Sequence, residues 1–141
     1  MRRILQKRLV AAATLVIVSA AGCAETETVS RRAAHLTIAG ATHTTSPAAC
    51  RQDQGYRTID ISDRDGNVEA VVLLSGDKVI PQWVKIRNVD GFTGSFWQGG
   101  VGNARADVAR TAFTITGSAY GINTGNPNKA VNTDFRIAAE C

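Results

Sequence analysis

From Leu36 to Ala139 the apolar residues recur at every second position, and turn-forming residues stand between the runs. That period admits few folds. Leu36 and Ile38 alternate with His35 and Thr37, Ile59 and Ile61 with Thr58 and Asp60, and Val68, Ala70, Val72 and Leu74 keep the same beat. Successive side chains of a strand point to opposite faces, so each run buries one face of a sheet and wets the other. Phe113, Ile115, Gly117 and Ala119 mark a further strand, and Phe135, Ile137 and Ala139 mark one that leads to Cys141. Asp65-Gly66 and Asp90-Gly91 suit tight hairpins, because Gly accepts the positive φ that the favoured turns demand. Ser75-Gly76-Asp77 offers a third turn, and Asn123 to Asn128 reads as a loop rich in Asn and Gly. Pro81 places its strand at an edge or at a strand start, since proline cannot donate to a ladder. Only Ala104 to Thr111 has room for a short turn of helix. The expected fold is mostly β: a single antiparallel domain, sandwich-like or partly closed, over residues 35–141, with length for one core.

The first 23 residues obey a different rule. Arg2, Arg3, Lys7 and Arg8 open the chain without an acid, Leu9 to Ala21 is apolar apart from Thr14 and Ser19, and Ala20-Ala21-Gly22 leads into Cys23. These are the zones of a secretory signal. A spanning helix needs about 20 apolar residues, so this run is too short to remain as one. Its end resembles the lipobox of bacterial lipoproteins, with Ala20 where Leu is usual. The resemblance implies a signal peptide over 1–22, cleavage before Cys23, and a diacylglycerol on the Cys23 thiol, making the membrane a partner through an acyl anchor. Two acyl chains hold a protein to a bilayer where one does not. The stretch 23–34, with Glu25, Glu27, Arg31 and Arg32 and almost no large apolar residue, reads as the lipidated N-terminus and a solvated tether.

The three cysteines agree with that division. An odd thiol in an oxidising space is a liability, and lipidating Cys23 leaves Cys50 and Cys141 free to pair. Charge agrees as well. The four basic residues of the first eight account for the whole formal excess of +4, so the mature domain is neutral by count, and its charges are scattered in mixed signs. A nucleic-acid partner is excluded on that pattern.

No catalytic or metal constellation stands out. His35, His43 and Cys50 make no convincing ligand set. Asp60, Asp63 and Asp65 lack the spacing of a calcium loop, and Gly99-Gly100-Val101-Gly102 has no strand-then-helix setting to cradle a phosphate. The chain is read as a non-enzyme without cofactor or metal. The feature suited to binding is aromatic: Trp83, Phe92, Phe96, Trp97 and Tyr120 are the candidate ligand contacts. Phe96 and Trp97 are neighbours, so on a regular strand one of them leaves the core face.

Several pieces in order also resemble the mycobacterial lipoprotein antigen (LpqH-like) family. They are Asn88-Val89-Asp90-Gly91, Gly102-Asn103-Ala104, Phe113-Thr114-Ile115-Thr116-Gly117, Asn126-Pro127, and Phe135-Arg136-Ile137 closing on Cys141. The resemblance covers about Leu36 to Cys141. It implies an exported envelope lipoprotein lipidated at Cys23 and a disulfide between Cys50 and Cys141. It also implies a non-catalytic antigen or interaction module whose acylated N-terminus is sensed by host lipoprotein receptors. The tether is shorter than in better-known members, with only Thr26, Thr28 and Ser30 as hydroxyls. A second expectation, from location and the aromatic group, is a carrier holding a lipid or glycolipid in an apolar pocket during envelope transport.

Overall fold

The period-two pattern becomes strands throughout the computed structural model, which describes residues 28–141 and Gly22. Residues 1–21 of the expected signal peptide and the expected lipidation site Cys23 lie outside these residues. Nine strands follow in chain order: β1 Thr28–Ile38, β2 Ala41–Asp53, β3 Tyr56–Asp63, β4 Gly66–Ser75, β5 Lys78–Val89, β6 Phe92–Trp97, β7 Asn103–Ala109, β8 Ala112–Asn123 and β9 Asn126–Glu140. Every pairing is antiparallel. The mostly β, partly closed domain expected from the sequence is the one observed.

The sheet order β6-β5-β4-β3-β2-β1-β9-β8-β7 closes on itself, because β6 also pairs with β8. Two strands share one edge of β8. β6 takes its C-terminal part, from Phe92↔Asn123 to Ser95↔Tyr120, and β7 takes its N-terminal part, from Asn103↔Ser118 to Ala109↔Ala112. The result is an eight-stranded ring with β7 attached. β6 meets β5 only from Trp83 onward, so residues 78–82 of β5 face β7 across an open seam.

The antiparallel order sorts the turns to two ends. One end gathers turns 54–55, 76–77 and 110–111 with Thr28 and Cys141, and the other gathers turns 39–40, 64–65, 90–91 and 124–125. At the first end Cys50 and Cys141 are joined by a disulfide. Between the ends the ring is filled by the inward residues of each strand. Leu36, Ile38, Ile59, Ile61, Val84, Ile86, Phe92, Ile115 and Ile137 are all essentially inaccessible. Eight strands enclose a space that side chains just fill.

Several local expectations change. Residues 104–111 form no helix: Ala104 and Ala106 face in while Arg105 and Asp107 face out, a strand whose small inward residues conceal the period. The loop at 123–128 shrinks to the two-residue turn Thr124-Gly125, and 126–128 belong to β9. At Asp65-Gly66 the turn residues are Arg64 and Asp65, and the positive φ falls on Arg64. Gly66 serves another need, since a Cβ there would stand 2.2 Å from the Asn88 carbonyl oxygen of β5. Asp90-Gly91 is the expected turn, with positive φ at both residues. Pro81 lies inside the strand order, beside a register shift at Val71/Val72, but on the stretch of β5 that β6 does not reach. There its missing N–H costs no ladder bond on the seam side. Ahead of residue 35, β1 already pairs with β2 at Thr28↔Cys50, Val29↔Ala49 and Ala33↔Pro47, and Ala34 is buried. Seven of the twelve residues 23–34, read as lipidated N-terminus and tether, are therefore strand.

Candidate functional site

Alternation divides the five aromatic candidates between the two faces of the ring. Phe92 and Phe96 point inward and are 1% and 4% exposed, so they belong to the core. Trp97 and Tyr120 point outward at 45% and 47%, with Trp83 half-buried beside them. The expected split between Phe96 and Trp97 is present.

Cross-strand register assembles the outward set. Trp83 of β5 lies opposite Trp97 of β6, and the row beside them runs from Lys85 through Ser95 to Tyr120. The two indoles stack with centroids 6.0 Å apart and planes 27° from parallel. The Lys85 ammonium sits 4.5 Å from the Trp83 centroid and 5.3 Å from that of Trp97, within cation–π range of both. Gln82 Nε2 donates to Gln98 Oε1 at 3.0 Å near the same edge. This is a flat aromatic platform with polar neighbours, the kind of surface that meets a partner on a stable domain. Because Trp97 is exposed and its stacking is worth only about 0.5–1.5 kcal/mol, Trp97→Ala should lower the unfolding free energy by no more than about 1.5 kcal/mol. Urea denaturation checks this. A larger loss would make the platform part of the fold's support and not a free surface.

At the end of the ring with turns 64–65 and 90–91, His43 lies between two carboxylates. Its Nε2 is 2.5 Å from Asp90 Oδ2 and its Nδ1 is 3.6 Å from Asp63 Oδ2. The shallow recess beside them, about 190 Å³, is lined by polar and charged residues including Arg64, Asp65 and Asn88. Only the Nε2 contact is a hydrogen bond; the Asp63 carboxylate stands beyond hydrogen-bond distance of Nδ1. His35 shares a hydrogen bond of 3.3 Å with Thr44 Oγ1, one register step from His43 but on the outer face of the sheet. Among the described residues no group of three or more His, Cys, Asp or Glu side chains is placed to hold a metal.

The opposite end has a mouth that the sequence did not suggest. A recess of about 260 Å³ opens between turns 76–77 and 110–111, with Leu74, Val79 and Phe113 on its walls and Arg57, Lys78 and Arg110 around it. It shares Asp77, Lys78, Val79 and Val108 with a second recess of about 370 Å³ along the β5–β7 seam. Arg57 has the parity of the core residues Ile59 and Ile61, so it points into the ring. Its guanidinium carbon lies 5.9 Å from the Phe113 centroid, and its Nε is buried without a hydrogen-bond partner. One signal for it was present: Arg57 falls in step with Ile59 and Ile61.

Comparison with known proteins follows the same lines. Residues 27–141 match the model of the family described as Mycobacterium 19 kDa lipoprotein antigen. The chain is 64% identical over 137 residues to the probable lipoprotein LppE of Mycobacterium tuberculosis, an alignment spanning 95% of this chain and 98% of that protein. It is 35% identical over 108 residues to a putative lipoprotein of Mycobacterium indicus pranii, spanning 77% and 78% respectively. Lipoprotein LpqH of Mycobacterium avium is 37% identical over 73 residues, 51% of this chain and 45% of its own.

Proposed function

The chain belongs to the Mycobacterium 19 kDa lipoprotein antigen family, and from that membership we propose a lipid-anchored, non-catalytic module displayed on the envelope. It is a lipoprotein of the mycobacterial envelope. In this reading residues 1–22 are removed as a signal peptide, Cys23 carries the acyl anchor, and the ring is presented outward as a surface-exposed antigen. The aromatic platform of Trp83, Trp97 and Tyr120 is its contact surface. Host lipoprotein receptors would sense the acylated end and not the ring.

The observation that carries this reading is where β1 stands in the ring. Thr28 pairs with Cys50 at one end of the ring, and only Ala24, Glu25, Thr26 and Glu27 separate it from Cys23. Five extended steps reach at most roughly 18 Å. The end bearing Thr28 and the disulfide is then held against the lipid, and the end bearing His43 points away.

Cys23→Ala should release the protein from membranes. The check is detergent phase partitioning of the parent and the variant from their own cells. If the variant still enters the detergent phase like the parent, the anchor is not at Cys23. A carrier role is the second reading, favoured by the apolar walls of the mouth and seam. Since the ring is filled by its own side chains, a carried lipid would lie in those recesses and not in the core.

A further inference from the structure

We infer that the mouth at the Thr28 end is a binding site for the phosphate headgroup of an anionic membrane lipid, with Arg57 at its base and Lys78 and Arg110 at its rim. The inference deepens the anchored reading and rests on it for the orientation of the ring, though not for the site itself.

Arg57 is the principal reason. An arginine directed into an apolar ring loses its water, and a buried donor left without an acceptor is a standing cost. Arg57 Nε is such a donor. Among the described residues no acid pairs with it: the ion pairs at this end join Arg32 to Glu140 and Arg51 to Asp60. Its guanidinium carbon lies within cation–π range of the Phe113 ring, a contact that uses none of its N–H groups. A guanidinium presented in this way matches two oxygens of a phosphate or carboxylate. Lys78 and Arg110 line the same recess and are exposed, so they can close on an anion from outside. The acidic side chains lining the mouth and seam are Asp77 and Asp107, against the three cations Arg57, Lys78 and Arg110.

The apolar part of the lining selects among anions. Leu74, Val79, Val108 and Phe113 sit with the cations, and the seam continues past Ile80 and Ala106. A free inorganic anion would leave these walls unused. A phospholipid headgroup brings its glycerol and upper acyl segments with it, and the open seam lets them leave sideways between β5 and β7. The mouth also stands at the end joined to Cys23 through four residues, so the lipid surface is within reach.

The test uses the whole mature chain carrying Cys23→Ala, so that vesicle binding reports the mouth and not an acyl anchor. It should sediment with vesicles of phosphatidylglycerol and phosphatidylcholine in equal parts, and not with vesicles of phosphatidylcholine alone. Arg57→Met should weaken that binding by about tenfold or more, the worth of a charge-assisted hydrogen bond, while the melting temperature stays level or rises because the orphan donor is gone. An arginine with a merely structural role would lower the melting temperature and leave binding alone, which overturns the proposal. Lys78→Gln with Arg110→Gln, both on the exposed rim, should weaken binding without touching the fold and serves if Arg57→Met does not fold. Soluble short-chain phosphatidylglycerol should shift the Arg57 side-chain Nε–H resonance. An equal shift with inorganic phosphate would assign the site to free phosphate and overturn the lipid reading. Equal sedimentation with both vesicle types would also overturn it. Failure of Cys23→Ala to release the native protein would remove the anchor alone, since none of these measurements uses it.

Discussion

Removing the Cys50–Cys141 disulfide should lower the unfolding free energy by about 4 to 5 kcal/mol, the chain-entropy value for a loop of this length. The bond joins residues 91 apart in sequence. Domains of this kind are stable by only about 5–15 kcal/mol, so the loss is a large share of the whole. The topology gives a second reason to expect it. β1 pairs with β9 only from His35↔Ala138 to Ile38↔Phe135. Ahead of His35 the pairings of β1 are with β2 and are broken by two register shifts. Where the β1–β9 ladder ends, the ring is held by the disulfide from Cys50 of β2 to Cys141 and by the Arg32–Glu140 ion pair at 3.3 Å. An exposed ion pair contributes little, so the covalent bond carries the closure. The measurement is chemical denaturation of Cys50→Ala with Cys141→Ala, in a Cys23→Ala background so that no third thiol exchanges. A loss below about 1 kcal/mol would contradict the loop-entropy account and mean that this end is held by packing alone.

Gly121→Ala should cost about 3 kcal/mol, the upper part of the range for overpacking a tight site. Gly121 of β8 pairs with Gly94 of β6 at the contact that closes the ring. A Cβ at 121 would stand 2.0 Å from the Thr93 carbonyl oxygen and 2.4 Å from the Gly94 Cα, both backbone atoms that cannot swing aside. The two strands would have to part, and their separation would open the ring above Phe92, which lies beneath and is 1% exposed. Glycines at such positions let a sheet bend sharply enough to close. Gly125→Ala is the control, because a Cβ there meets nothing within 4 Å, and it should change stability by no more than about 0.5 kcal/mol. Amide exchange at Thr93 and Ser95 should accelerate in Gly121→Ala and not in Gly125→Ala. Equal stabilities for the two variants would show that β6 and β8 do not pack as closely as described.

The two effects act on different parts of one closure. The disulfide completes the ring at the end that the anchored reading turns to the membrane, and the Gly94–Gly121 contact completes it nearer the other end. Between them β7 leaves the seam open, and the mouth with Arg57 lies where that seam meets the end. An open seam in an otherwise closed ring is what allows a recess to exist beside a filled core.

How much of this was readable beforehand follows from the range of the interactions involved. Strand character is a short-range property. The alternation through Ile59 and Ile61, or Val68 to Leu74, needs only the chain's own geometry to place one face inward. The same holds for the opposed directions of Phe96 and Trp97, and for the Asp90-Gly91 turn, where positive φ is demanded of two adjacent residues. The cysteine count and the charge of the first eight residues are equally local facts, and they pointed to Cys23 before any fold was considered.

Closure was not local. Whether β6 meets β8 depends on residues about thirty apart in sequence approaching backbone to backbone, and nothing around Gly94 or Gly121 distinguishes a close-approach glycine from a turn glycine. Gly66 was misread for that reason. Small residues hid β7, since Ala104 and Ala106 mark an inward face too weakly to show a period. Arg57 has the right parity for the core but the wrong chemistry, and only the assembled ring, which brings it and Phe113 to the lining of one recess, shows where its guanidinium goes. The sequence by itself determined that this is an exported chain of antiparallel strands with one aromatic turned outward, because each follows from neighbours along the backbone. The tertiary structure alone decided that the strands form a ring with an open seam, because that rests on which distant edges find each other.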